Sequence, residues 1–292
     1  MDRLSQQMAQ VPASSPASEG LSFEQVTLYT RDGFRLAAWW VPSLDEPAVR
    51  GLFAVLHHFH GGGKAAMLPW IKLLHTLGVA AVAIDGRGHG ASAPLIPGQK
   101  DALVGRAEDV RAACLEARRR GASRLLLVGQ SQGGGLPVLA VAAERADVAG
   151  VVVDSGPAWS LLAATVGLAT FALAPLRPQR FALARVLLVP RLLRRAAPVR
   201  DSITLWTALL RLRSRPLLWI HGERDGIIPR LAAQRWFDLL RREPGPWRAI
   251  SVPHGRHATC VQLGGSAVRN AVAIFVAQLV DPVRQPSTEP GR

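Results

Sequence analysis

Cysteine is nearly absent from this chain. Cys114 and Cys260 are the only two in 292 residues, too few for a disulfide framework, and neither has metal-ligand spacing to a histidine cluster. Both are expected in or near the core. A secretory signal is also missing, because Met1 to Gly20 is rich in Ser, Ala, Gln and Pro without a continuous apolar run. Residues 1–21 therefore read as a flexible leader on a cytoplasmic protein. No repeat of solenoid period is visible, and no long low-complexity segment interrupts residues 22–282. The chain is 49% hydrophobic, ample for the core of one large α/β domain over 22–282, with a flexible tail at 283–292.

Acidic residues are scarce as well: 21 against 35 Lys and Arg, for a formal charge of +14 at pH 7. The excess is unevenly placed. Between Arg177 and Arg215 there are ten arginines and one acid, Asp201. These arginines lie among Leu, Ala, Val and Phe rather than among stacking aromatics and turn glycines, which argues against a nucleic-acid groove. Two readings remain for the 177–215 region: an amphipathic element in peripheral contact with anionic membrane, or a solvated face on ordinary helices.

Asp32-Gly33 is a turn signal between Glu24–Thr30 and Arg35–Val41, which predicts an antiparallel hairpin. Strand and helix then alternate. Strands are expected at Gly51–Phe59, Ala80–Asp85, Leu125–Val128, Gly150–Asp154, Pro216–His221 and Arg248–Val252. Helices are expected at Ala65–Leu77, Leu103–Arg120, Gly134–Arg145, around Leu231–Arg241, and at Ser266–Leu279. Near-continuous apolar strands joined by helices imply a mainly parallel central sheet with helices on both faces. In such sheets the chemistry gathers at the carboxyl ends of the strands.

Three reactive side chains follow strands in this way. Gly129-Gln-Ser-Gln-Gly133 fits the G-x-S-x-G strand-to-helix turn, in which small neighbours relieve crowding around a strained serine, Ser131. Asp225 ends Leu217-Leu-Trp-Ile-His-Gly-Glu-Arg-Asp, and His257 ends Ile250-Ser-Val-Pro-His-Gly-Arg-His. A serine hydroxyl becomes a nucleophile when an imidazole accepts its proton, and the imidazole needs a carboxylate to hold its tautomer. Attack on an acyl carbon also needs donors for the oxyanion. His60-Gly-Gly-Gly-Lys64 follows the first parallel strand, and the backbone amides of Gly62 and of Gln132, the residue after the serine, are the expected pair.

Taken together, these pieces resemble the α/β-hydrolase superfamily over most of residues 22–280. The likeness rests on Asp32-Gly33, His60-Gly61, Asp85-Gly-Arg-Gly-His-Gly-Ala-Ser92, the Gly-Gln-Ser-Gln-Gly elbow, His221-Gly-Glu-Arg-Asp225 and the late His257, in that order. The resemblance implies an α/β-hydrolase fold with a cap insertion at about 156–210, and Ser131, Asp225 and His257 as nucleophile, acid and base. Within the superfamily the chain looks most like lysophospholipase-like and depalmitoylase-like hydrolases. Its Ser-Gln-Gly-Gly is also similar to that of acetyl xylan esterases.

Rival residues exist. Asp154 follows its own strand and competes with Asp225, and His254 competes with His257; Asp225 is preferred for its His-Gly-x-x-Asp setting and His257 for the Pro253 and Gly255 that lead into it. His57, His58 and His89 read as structural or pocket-lining, and Asp85 and Arg87 as braces beneath the site. Ser155–Leu176 carries no charge, but a membrane span there would separate Ser131 from Asp225 and His257. A cap lining an apolar acyl cleft is the expectation instead. The chain is thus expected to be an enzyme without cofactor or metal that cleaves esters or thioesters of a small acyl substrate. An amidase, a peptidase, an acetyl esterase and a non-catalytic binding protein of the same fold remain as alternatives.

Overall fold

The computed structural model describes residues 14–43, 49, 51–59, 61–95, 103–156, 211–212, 215–228, 230, 234, 238 and 246–280. Eight strands form one sheet: β1 (Glu24–Tyr29), β2 (Arg35–Val41), β3 (Leu52–His57), β4 (Ala80–Ile84), β5 (Arg124–Gln130), β6 (Val148–Asp154), β7 (Leu217–Gly222) and β8 (Trp247–Val252). Their spatial order is β1-β2-β4-β3-β5-β6-β7-β8. The hairpin β1–β2 and the β2–β4 pair are antiparallel. Every later pairing is parallel. Five helices are described: α1 (Leu68–Thr76), α2 (Leu103–Arg119), α3 (Ser131–Glu144), α4 (Cys260–Leu263) and α5 (Gly265–Val280).

The central strands are buried on both faces, which is why they read as unbroken apolar runs. In β5, Leu125 and Leu127 point into a core shared with Val110 and Ala113 of α2 and Val138 and Val141 of α3. Leu126 and Val128 point to the opposite core, with Trp70 and Ile71 of α1 and Val272 and Phe275 of α5. Burial of a side chain of this size stabilises by about 1.5–3 kcal/mol, so one strand ties both layers together.

Two helix starts differ from the expectation. The helix expected from Ala65 begins as a 3₁₀ turn, Lys64–Met67, and becomes α-helical only at Leu68, where Pro69 occupies the first turn and needs no N–H partner. The helix expected from Gly134 begins three residues earlier, at Ser131. Glycine is a poor helix former, but here packing overrides propensity: a Cβ on Gly134 would stand 2.3 Å from the carbonyl oxygen of His57.

Arg87 braces the hairpin against the layer of α2. It donates to both carboxylate oxygens of Asp32 at 2.7 and 3.0 Å, and to Asp109 at 2.9 Å, while its guanidinium lies over the Phe34 ring. The Arg87 hydrogen bonds hold the Asp32 carboxyl down at about 2. Within the segment expected as a leader, Pro16–Glu19 forms a 3₁₀ turn with Pro16 buried, and Glu19 pairs with Lys72 of α1 at 2.6 Å. The expected cap at about 156–210 and the tail lie outside the described residues, apart from Gly156. So does most of the arginine-rich window, but its last member, Arg215, turns inward and donates to the carbonyls of Arg145 and Val148. Among the described residues no helix is long and apolar enough to cross a membrane.

Candidate active site

Ser131 sits where β5 ends and α3 begins, with its backbone in the left-handed region at φ 59°. A non-glycine residue there is strained by crowding of its Cβ. The strain is held in place by close backbone packing on both sides of the turn. A Cβ on Gly129 would lie 2.4 Å from the carbonyl oxygen of Gly134, and one on Gly156 would lie 2.8 Å from the Ser131 backbone.

The candidate acid and base, Asp225 and His257, arrive on neighbouring loops after β7 and β8. Arg224 donates its amide to Gly255 and Glu223 to Val252, each at 2.9 Å. Gly222 and Gly255 face one another so closely that a Cβ on either would collide with the other's backbone. This explains the glycine in both the His-Gly-x-x-Asp and Pro-His-Gly sequences. Asp225 is fully turned inward: Oδ1 accepts the amides of Ile227 and Ile228 at 2.9 and 2.8 Å, leaving Oδ2 for His257. His257 Nδ1 lies 2.8 Å from that Oδ2, and its Nε2 lies 2.8 Å from Ser131 Oγ. Because the carboxylate only accepts, Nδ1 carries the hydrogen and Nε2 presents a lone pair to the serine hydroxyl.

The structure thus brings together the three residues singled out in sequence and sets their rivals apart. His254 is exposed on the rim of the loop. Asp154 is buried and engaged by Trp70 Nε1 at 3.0 Å, Gln130 Nε2 at 3.2 Å and Ser155 Oγ at 2.8 Å. Cys260 is buried, and desolvation drives its thiol well above the ordinary range, which leaves it no thiolate with which to compete.

Beside the serine runs the glycine-rich loop. Asp85 fastens it, accepting from the Lys64 amide at 2.6 Å, from the Lys64 ammonium at 2.5 Å and from the Ala91 amide at 2.9 Å. His89 Nε2 accepts the Gly61 amide at 3.2 Å. His58, fully enclosed, accepts the Gly86 amide at Nε2 and approaches the Phe59 carbonyl through Nδ1 at 2.6 Å. Burial, followed by the neighbouring His57, pushes its pKa well below the usual 6.5 and keeps the ring neutral. These histidines therefore hold loops. Among the described residues no three His, Cys, Asp or Glu side chains converge as a metal set.

The two expected oxyanion donors stand differently. Gln132 is the second residue of α3, where helix amides have no carbonyl one turn earlier to accept them. Gly62 instead donates its amide to the Phe59 carbonyl at 3.0 Å and packs against the Phe59 ring. In this conformation the Gly62 N–H closes a turn of the loop, unlike the expectation that it faces the cleft. Phe59, which the motifs do not single out, stands edge-on to His257 with ring centroids 6.4 Å apart. Its place in the site carries no sequence signal, because one aromatic after a strand is ordinary core material.

Sheet order, elbow and strand-end loops define an α/β hydrolase, and the profile of the alpha/beta hydrolase family matches residues 54–271. The chain belongs to that family. Among curated proteins it is similar to the uncharacterized protein YfhR of Escherichia coli O157:H7, 26% identical over 268 residues that cover 89% of this chain and 83% of the relative. Among solved structures it is similar to the Pyrococcus furiosus esterase Pf2001, with a TM-score of 0.70 at 17% identity, covering 91% of this chain and 96% of that one. A putative aryl esterase from Burkholderia cenocepacia aligns with a TM-score of 0.59 at 20% identity, covering 88% of this chain and all of the other. At these identities the two esterases speak to the fold alone.

Proposed function

We propose that this protein is a serine hydrolase that cleaves carboxylic ester or thioester bonds through an acyl-enzyme. The observation that carries the reading is the unbroken chain from Asp225 Oδ2 through His257 to Ser131 Oγ, with both contacts at 2.8 Å. In the first step His257 Nε2 takes the hydroxyl proton as Oγ attacks the acyl carbon, and the negative charge moves to the carbonyl oxygen. The Gln132 amide, at the positive end of α3, is the donor best suited to meet that charge, with a second donor supplied by the 58–63 loop. His257 then returns the proton to the departing alkoxide or thiolate. In the second half water attacks the ester on Ser131, again giving its proton to His257, and the acid leaves as Oγ is reprotonated. Asp225 stays ionised throughout, fixing the tautomer and stabilising the imidazolium.

The acyl substrate class rests on the apolar character of Ser155–Leu176, whose sequence suits an acyl-lined cleft better than a sugar site. Peripheral contact between the 177–215 arginines and anionic membrane belongs to the same proposal. Co-sedimentation with anionic vesicles at low salt tests that contact, and its absence removes it.

Labelling with a fluorophosphonate probe tests the reaction, followed by hydrolysis of p-nitrophenyl esters of graded chain length. Wild type is expected to label and turn over, while Ser131→Ala loses both, with kcat down by about 10⁶-fold. Folded wild type that neither labels nor hydrolyses any ester overturns the reading in favour of a binding protein of the same fold.

A further inference from the structure

Three non-glycine residues among those described have left-handed backbone: Ser131 at φ 59°, Ser155 at φ 60° and Ala258 at φ 54°. Strain of this kind persists only where the surroundings over-determine it. Ser155 and Ala258 lie within one buried polar network, and Ser131 adjoins it. Gln130 immediately precedes Ser131, and Ala258 immediately follows His257.

At the centre of the network is Asp154, completely buried at the end of β6. Each of its oxygens orients one side chain, and each of those side chains grips one backbone group of Ala258. Oδ1 accepts from the Ser155 hydroxyl at 2.8 Å, and that hydroxyl accepts the Ala258 amide at 2.9 Å. Oδ2 accepts from Gln130 Nε2 at 3.2 Å, and the same nitrogen donates to the Ala258 carbonyl at 3.4 Å. With two acceptors before it, the Gln130 amide has its nitrogen on that side by necessity. The indole of Trp70, also fully buried, donates to Oδ2 at 3.0 Å and fixes the carboxylate.

We infer that Asp154 is a positioning residue for the serine–histidine pair, holding the His257 loop to the end of the nucleophile strand through Ser155 and Gln130. The inference rests on the serine-hydrolase reading and adds a second carboxylate to it. The requirement it meets is physical. His257 reaches its position on a loop rather than on a strand, so something must set the Nε2–Oγ distance. Asp225 fixes only the other edge of the ring. A hydrogen-bonded bridge from the residue before the nucleophile to the residue after the base fixes the two reacting atoms relative to one another. Displacements near 1 Å in such a pair lower turnover by about 10²-fold.

Ser155→Ala tests this directly, since it removes the acceptor of the Ala258 amide and the link to Asp154 with a single small change. Expected are a fall in kcat of about 10- to 100-fold on p-nitrophenyl esters, KM within about threefold of wild type, and faster hydrogen exchange at the Ala258 amide in the folded protein. The low-field resonance of the His257 Nδ1 proton should broaden or shift with it. Wild-type kcat in a folded Ser155→Ala variant overturns the inference, as does a lowered kcat with Ala258 exchange unchanged. Should Ser155→Ala fold poorly, Trp70→Phe releases the carboxylate from its indole and Gln130→Met removes the second arm, each with the same expected pattern. The exchange and resonance measurements need no turnover. A wild type that neither labels nor hydrolyses therefore sinks the serine-hydrolase reading, while the bridge itself is still judged by Ala258.

Discussion

Gly129 and Gly134 touch backbone to backbone: a Cβ on Gly129 would stand 2.4 Å from the Gly134 carbonyl oxygen. The contact locks the strand that enters the elbow to the helix that leaves it. Only the absence of a side chain allows Ser131 to be presented at so sharp a turn.

Gly129→Ala is accordingly expected to destabilise the fold by about 1–3 kcal/mol, the range for overpacking a closed interior, and to displace Ser131. Chemical denaturation, together with the rate of fluorophosphonate labelling, checks both effects. Wild-type stability and labelling would mean that the elbow relaxes freely.

Asp225 and His257 offer a sharper test. Asp225→Asn keeps the shape, and with its oxygen still accepting the amides of Ile227 and Ile228 it puts an NH₂ donor opposite Nδ1. With the tautomer no longer imposed, kcat is expected to fall by about 10⁴-fold while KM and the melting temperature change little. Steady-state kinetics on a short-chain p-nitrophenyl ester measure it, and a loss of under tenfold would move the acid role away from Asp225.

The two histidines of the β8 loop separate cleanly. His254→Gln, at an exposed position, is expected to leave kcat and stability at wild-type values. His257→Gln is expected to abolish turnover, because no other base reaches Ser131 Oγ among the described contacts. Parallel assays of the two variants at matched protein concentration decide it.

Acid stability should carry the mark of His58. Its ring stays neutral in the fold, with its pKa pushed well below 6.5 first by burial and then by His57. The unfolded chain takes up a proton as pH falls through about 6.5, and the folded chain does not. The contribution is therefore fully present above that pH and is lost progressively below it. His221, also lowered chiefly by burial, acts in the same direction. Melting temperatures between about pH 7.5 and 5 should fall with acid in wild type, and His58→Gln should flatten part of that slope.

Much of this molecule is legible in its amino-acid sequence. The elbow pentad, the His-Gly-x-x-Asp loop and the late His257 each combine a reactive side chain with the glycine its loop needs, so spacing along the chain marks their identity and order. The alternation of apolar runs with amphipathic segments announces the parallel sheet, because strands covered on both faces cannot hide their composition. The start of α3 at Ser131 is not legible, since Gly133-Gly-Gly135 suppresses the helical pattern while serving contacts visible only in three dimensions. The turn that occupies the Gly62 amide escapes for a related reason: a run of glycines states that backbone comes close, but not what it comes close to.

The bridge from Gln130 through Asp154 and Ser155 to Ala258 is further from reach. In sequence Asp154 stands only as a rival acid, and nothing in Gln130 or Ala258 marks them as partners 128 positions apart. Side-chain chemistry and local spacing, which are properties of the chain itself, determined which residues are able to react and in what order they occur. The sequence favoured Asp225 over Asp154, but only tertiary structure decided what Asp154 does instead, binding Gln130 and Ser155 that hold Ala258, because that turns on the packing of β6, β7 and β8 and on where each buried oxygen finds its donors.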